Sequence, residues 1–282
     1  MRTYLVNDRN LAAVTGGSGG SVVFLPGAGL VGLDFWNIHD RLAPFAASLL
    51  YDRAGTGASD PVDLPRSAAA VATELHELLA VVGQAGPHVL VGHSMGALYA
   101  RRFAQLFPSD VAGLLLLDPG HEDMFDFLPP EAVELNERMK TGAPQDLTPE
   151  QVDAARTAYA HLYAAWPGDA RDRLVEYHVT HWRTGLSEAA NLESEVHAEL
   201  REGGPVPDVP AIVLSATGRN PYWANFLTEE QMTLAHDGIR KLHVAIAASF
   251  TRGEHRLLDG ASHQYAHIEQ PDAVVQAVRD LL

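Results

Sequence analysis

The chain contains no cysteine. That single absence excludes disulfides, thiolate metal sites, iron–sulfur clusters and a cysteine nucleophile together. Cations are scarce beside acids: Lys plus Arg number 20 and Asp plus Glu 36, a formal charge of −16. A field of that sign repels phosphate backbones and anionic lipid, so neither a nucleic acid nor a membrane surface is expected as a partner. Long hydrophobic runs are missing too. The apolar stretch at 111–117 is strand-sized, far below the ~20 residues of a membrane helix. No repeat with a period of 20–50 residues occurs, and low complexity is confined to a short turn at 15–20. The first ten residues, MRTYLVNDRN, hold no apolar run of signal-peptide length, and a cytoplasmic location is expected.

What remains is an ordinary folded composition, 46% hydrophobic and 20% charged over 282 residues, enough for one large domain or two small ones. Residues 3–6 and 11–14 read as a short hairpin. Residues 21–26 (SVVFLP) and 47–52 read as buried strands, each ending in a Gly-containing turn, with a helix at 35–45 between them. A helix is expected at 66–82, a strand at 88–91, a helix at 95–107 and a strand at 111–117. Strand and helix alternating over short connections imply βαβ units and a parallel sheet.

The rhythm breaks after Asp118. Residues 123–205 contain no convincing strand. They carry helical patterns near 130–140, 149–166, 170–184 and 187–202, punctuated at Gly142, Pro144, Pro167-Gly168 and Gly203-Gly204-Pro205. Sheet patterning returns at 210–216, followed by a helix over 228–250, a strand at 255–258 and a terminal helix from Pro271. The expected division is an α/β core of 1–122 and 206–282 with a helical insertion at 123–205.

Gly92-His93-Ser94-Met95-Gly96 is a G-x-S-x-G pentapeptide lying between the strand HVLV and the helix beginning at Met95. A nucleophile elbow requires that setting, with small residues flanking a Ser raised to the C-terminal edge of the sheet. A hydroxyl needs a base, and His263 follows a strand and a Gly-Ala-Ser loop at the same sheet edge. His267, four residues on, is the second choice. His93 points away from the nucleophile by the geometry of an elbow.

At these residues the chain resembles the α/β-hydrolase superfamily, over nearly its whole length. LPGAG (25–29) stands where that family has its oxyanion loop, with Pro26 in place of the usual His. YDRAGTGASD (51–60) matches the family's Asp-Arg-x-Gly-x-Gly-x-Ser segment. GASHQYAHIEQPDAV (260–274) matches the loop of the catalytic His. The resemblance implies a mostly parallel eight-stranded sheet with helices on both faces and a helical cap after the sixth strand, where the insertion falls.

The family's commonest acid position follows the strand at 210–216, and here it holds Asn220. Asp118 ends a strand later than that of Ser94, at a place where the resemblance implies an acid in some members of the superfamily, and it is preferred ahead of Glu122, Asp123 and Asp208. The oxyanion donors expected are the backbone amides of Met95, directly after the nucleophile, and Ala28. His178 with His181, and His121-Glu122-Asp123, suggest metal only weakly, because matching further ligands do not appear at metal-site spacing. No metal and no cofactor are expected. Core packing accounts for most of Phe125, Phe127, Tyr159, Tyr163, Trp166, Trp182 and Trp223, but several are expected to line a pocket under the cap. The reading is a serine hydrolase of the esterase or lactonase class, acting on a small apolar ester or lactone. A lyase or cofactor-free oxygenase of the same fold, or a ligand-binding receptor with an idle triad, stand as alternatives.

Overall fold

The computed structural model describes residues 1–140, 146–220 and 223–282. Eight strands form one sheet: β1 (Arg2–Val6), β2 (Arg9–Gly16), β3 (Gly20–Leu25), β4 (Ala46–Tyr51), β5 (His88–His93), β6 (Val111–Leu117), β7 (Ala211–Ala216) and β8 (Gly253–Leu258), in the spatial order β1-β2-β4-β3-β5-β6-β7-β8. β1 and β2 make an antiparallel hairpin closed by Asn7 and Asp8, both at positive φ, as a tight two-residue turn demands. β2 also runs antiparallel to β4, and every other pairing is parallel.

The strands at the centre are apolar on both faces because helices cover both. Alternate residues sort cleanly. Val23, Leu25, Leu90, Leu114, Leu116 and Val213 face the side packed by helices α2 (Ala68–Val82), α3 (Met95–Leu106) and α10 (Glu229–Ala248). Val22, Phe24, Val89, Val91, Leu115, Leu117 and Leu214 face α1 (Trp36–Leu42) and α12 (Pro271–Leu281). A period-two strand buried on each face therefore reads as a continuous hydrophobic run, the pattern of 111–117.

Between β6 and β7 the chain is helical: α4 (Met124–Phe127), α5 (Pro130–Lys140), α6 (Pro149–Leu162), α7 (Gly168–Thr180), α8 (Thr184–Ala189) and α9 (His197–Glu202), with a short α11 (Ala266–Glu269) following β8. No strand occurs in that stretch among the described residues, and Gly142 and Pro144 lie outside them. The single helix expected at 187–202 is instead α8, a π-helical turn at Leu192–Val196 and α9. The break has local causes. Glu188 turns into the core to meet Arg53, and the Asn191 amide donates to Arg66 O at 3.1 Å and to Glu195 at 2.5 Å.

Of the seven aromatics in or near the helical segment, Tyr159, Tyr163 and Trp166 pack in a cluster away from the cavity. Tyr163 and Trp166 pack with Leu174 against Val31 and Leu33. The Trp166 indole donates to Leu33 O at 2.8 Å, and the Tyr163 hydroxyl donates to buried Asp34 at 2.5 Å. Arg183 lies over the Trp182 ring. Only Trp223 of the seven lines the cavity described below. The expectation of several at the pocket was too generous, because composition does not tell a packing face from a pocket face.

Candidate active site

The elbow is built by close approach. A Cβ on Gly92 would lie 2.6 Å from Ala97 Cα, and one on Gly96 would lie 1.9 Å from Leu25 O. Only glycine allows β3, the turn and α3 to come so near. Ser94 itself sits at φ 51°, ψ −121°, a backbone state that costs roughly 1–3 kcal/mol and needs surrounding structure to hold it. The hold comes from Ser94 N–H donating to Leu117 O at 3.1 Å, and from Ser94 O accepting from Gly120 N at 3.0 Å.

Asp118 leaves β6 at φ 41°. Its N–H donates to Leu214 O at 2.7 Å, and its Oδ1 accepts from Ala216 N at 2.9 Å. Oδ2 is thereby aimed at the loop after β8, where it accepts from His263 Nδ1 at 2.5 Å. His263 Nε2 lies 3.0 Å from Ser94 Oγ. With Asp118 ionised, the imidazole proton resides on Nδ1 and the Nε2 lone pair faces the hydroxyl. Ser94, Asp118 and His263 thus meet at the carboxyl edge of the sheet, after β5, β6 and β8, although 169 positions separate the first from the last.

The electrostatics follow from these contacts. Burial raises the Asp118 pKa, but the His263 hydrogen bond and charge, the nearby His243 and the Ala216 amide together bring it below the usual value. Crowding by protein atoms lowers the His263 pKa, yet the hydrogen bond and charge of Asp118 outweigh it and hold the ring above its ordinary value of 6.5.

The rival residues are engaged elsewhere. Glu122 binds both terminal nitrogens of Arg101, at 2.5 and 2.7 Å. Asp123 pairs with Arg201, and Asp208 accepts from Thr251 N. Asn220 accepts from Trp223 N at 3.2 Å. His267 is fully buried, stacked 4.2 Å from the Phe35 ring centre. His178 binds Asp34 at 2.9 Å, and His181 meets Thr180. Among the described residues no group of three or more His, Asp or Glu could hold a metal ion, and no helix is long and apolar enough to cross a membrane.

Several supporting residues were not foreseen. His93 points away from Ser94 and donates through Nε2 to His263 O at 2.8 Å, tying the elbow to the His loop. Burial brings its pKa down to about 3, so it stays neutral. Behind Asp118, His243 Nε2 donates to Pro119 O at 3.1 Å, which leaves Nδ1 to accept from Ser215 Oγ at 2.6 Å. Its signal in the sequence was a histidine on the buried stripe of α10, beside Leu242 and Ile246.

The loop after β3 has its own brace. Arg53 is 2% exposed and donates to Pro26 O at 2.7 Å and Gly27 O at 3.0 Å. It also forks onto Glu188 of α8, whose Oε2 accepts from Gly29 N at 2.7 Å. Gly29's amide is thus taken. Ala28, just before it, lines the same cavity as Ser94 and Met95. Met95 is the first residue of α3, where a backbone N–H has no acceptor within the helix. The cavity has a volume of about 400 Å³, the scale of a small-molecule site.

Comparison with known proteins agrees with this architecture. Residues 22–277 match the model of the Alpha/beta hydrolase family. An uncharacterized protein of Schizosaccharomyces pombe, C23C11.06c, is 38% identical over 84 residues, 30% of this chain and 16% of that protein. The chain spans less than half the length of the curated relatives it matches first. Among solved structures, a thermophilic esterase from Thermogutta terrifontis superposes with a TM-score of 0.64 at 19% identity, covering 99% of this chain and 96% of that one. The enol-lactonase from Burkholderia xenovorans LB400 gives 0.61 at 20% identity, covering 99% of each chain. These structural likenesses show a shared fold. The chain, matched across most of its length, belongs to the alpha/beta hydrolase family.

Proposed function

We propose that this protein is a serine hydrolase that cleaves a carboxylic ester or lactone through an acyl-enzyme. The observation carrying the reading is the relay from Asp118 Oδ2 to His263 (2.5 Å) and from His263 Nε2 to Ser94 Oγ (3.0 Å), opening on a cavity of ligand size. The fold shared with an esterase and an enol-lactonase supports the same class.

In this reading Ser94 Oγ attacks the carbonyl carbon as its proton passes to His263 Nε2. The Asp118 carboxylate stabilises the imidazolium that results and keeps the ring oriented. Negative charge on the carbonyl oxygen is met by the N–H groups of Met95 and Ala28, with the α3 N-terminus favouring charge of that sign. Collapse of the tetrahedral species breaks the C–O bond, and the proton on Nε2 goes to the departing alkoxide. Water then gives a proton to Nε2 as its oxygen attacks the acyl carbon. Ser94 Oγ leaves and recovers that proton. The segment 123–205 acts as a cap over the site, with Met124, Ala189, Leu192 and His197 contributing to the cavity wall.

Release of acid from a panel of short and medium esters and lactones, measured by pH-stat, tests the proposal. Turnover by wild type and its loss in Ser94→Ala are expected. Tight binding of these compounds without turnover favours a receptor instead.

A further inference from the structure

The wall of the cavity formed by the β6–α4 connection and the start of α9 is not apolar. Two histidines stand there, His121 and His197. His197 is 3% exposed. No described residue is hydrogen-bonded to its ring, so its polar atoms are left to whatever fills the cavity. His121 accepts from Asp123 N–H at Nδ1, 3.1 Å away, which places its own proton on Nε2 as a donor with no protein acceptor among the described residues. Both rings are biased toward the neutral form. Burial, then the charge of Arg101, brings His121 down to about 4, and burial lowers His197. The cations beside them are already matched: both terminal nitrogens of Arg101 bind Glu122, and Arg201 pairs with Asp123.

We propose that His121 and His197 form a polar subsite that binds an uncharged keto or hydroxyl oxygen carried by the substrate several bonds from the scissile carbonyl, a proposal that rests on the hydrolase reading above. His121 supplies a fixed donor. His197, whose tautomer nothing fixes, can donate or accept, so the pair suits an oxygen with or without a proton. A carboxylate is a poor fit, because no unmatched positive charge faces it and Glu122 lies behind. A plain alkyl chain is a poor fit for the opposite reason: it strips water from both rings and gives nothing back. The preferred substrate is therefore less apolar than the rest of the cavity suggests, with Leu98, Met124, Ala189 and Leu192 holding the hydrocarbon part.

The test compares methyl hexanoate with methyl 3-, 4- and 5-oxohexanoate by pH-stat, using wild type, His197→Phe, His121→Phe and His197→Gln. Wild type is expected to favour at least one oxo isomer by about tenfold or more in kcat/KM, the effect of pairing a buried group otherwise left bare. His197→Phe and His121→Phe should each bring that ratio toward one, and His197→Gln, which keeps donor and acceptor, should restore much of it. A wild-type ratio of one or less for every isomer overturns the subsite, as does a ratio that survives both Phe variants. Calorimetric binding of the same four esters to Ser94→Ala reads the preference without turnover. If wild type hydrolyses no ester yet Ser94→Ala prefers an oxo ester and the added His197→Phe removes that preference, the subsite stands and the ester reading falls. If Ser94→Ala shows no preference either, both fall.

Discussion

Replacing Asp118 with Asn changes one atom type at the centre of the site, and the contacts dictate the outcome. Asp118 Oδ1 accepts from Ala216 N and Oδ2 accepts from His263 Nδ1. An amide has one acceptor oxygen for these two donors. If that oxygen stays with Ala216, the amide nitrogen faces His263 Nδ1, and the ring must move its proton to Nε2, where it no longer accepts from Ser94. If the amide flips, the Ala216 N–H meets another donor in a buried setting, at about 1–3 kcal/mol, or roughly 5- to 150-fold in population. Loss of the negative charge opposite the imidazolium adds to this. Together they lower kcat by roughly 10²–10⁴; the same change in a serine protease triad costs about 10⁴. A second signature follows from the sign of the pKa shift. His263 must be neutral to act as base, and Asp118 holds its pKa above 6.5, so wild-type kcat/KM rises with pH through a midpoint above that value. In Asp118→Asn the burial effect persists while the hydrogen bond and charge are gone, and the midpoint moves down. A chromogenic short ester assayed from pH 5 to 9, with melting curves as a folding control, measures both. A variant within threefold of wild-type kcat with an unmoved acidic limb refutes the reasoning, most sharply if Glu122→Gln, Asp123→Asn or Asp208→Asn loses activity instead.

Trp166→Ala removes an indole that packs on Leu33 and bonds to its carbonyl, so it should cost roughly 3–5 kcal/mol in denaturant melts and leave the ratio of long- to short-ester turnover alone. Trp223→Ala, at the cavity wall, should shift that ratio; the opposite pattern would place the specificity surface on the Trp166 side. Glu188→Ala leaves the Arg53 guanidinium buried without its counter-ion and frees Gly29 N, so a loss of about 3–5 kcal/mol is expected, with kcat falling as the loop holding Ala28 slackens. Unchanged melting and turnover would mean that the loop needs no brace from α8.

Legibility in the sequence followed the range of the signal. The run at 111–117 coincides with β6 because six apolar residues and a glycine in a strand buried on both faces leave no other pattern to read. The helix at 130–140 matches α5, and its N-terminal Pro130 fits a first helical position. The elbow was equally local, since two glycines and a serine between strand and helix describe the turn itself. Asp118 was legible through the resemblance, which implies an acid at that strand end in some members, together with the amide at 220. What stayed hidden were pairs formed by the fold. Arg53 and Glu188 are 135 positions apart and look like separate surface charges until packing buries them together. His121 read only as part of a weak metal pattern and His197 carried no signal, and only the fold brings both to one cavity wall. Which aromatics of the helical segment would reach the cavity was hidden for a related reason: a residue such as Trp166 is placed by the neighbour its helix face meets.

The central claim is that Ser94 is the nucleophile. The most direct test is to treat the native protein with a fluorophosphonate and locate the adduct by peptide mass spectrometry. The account predicts a single stoichiometric adduct on the peptide containing Ser94, absent from Ser94→Ala and formed more slowly in Asp118→Asn, with ester turnover lost in proportion to labelling. An adduct on another residue, or full ester turnover in Ser94→Ala, would contradict it.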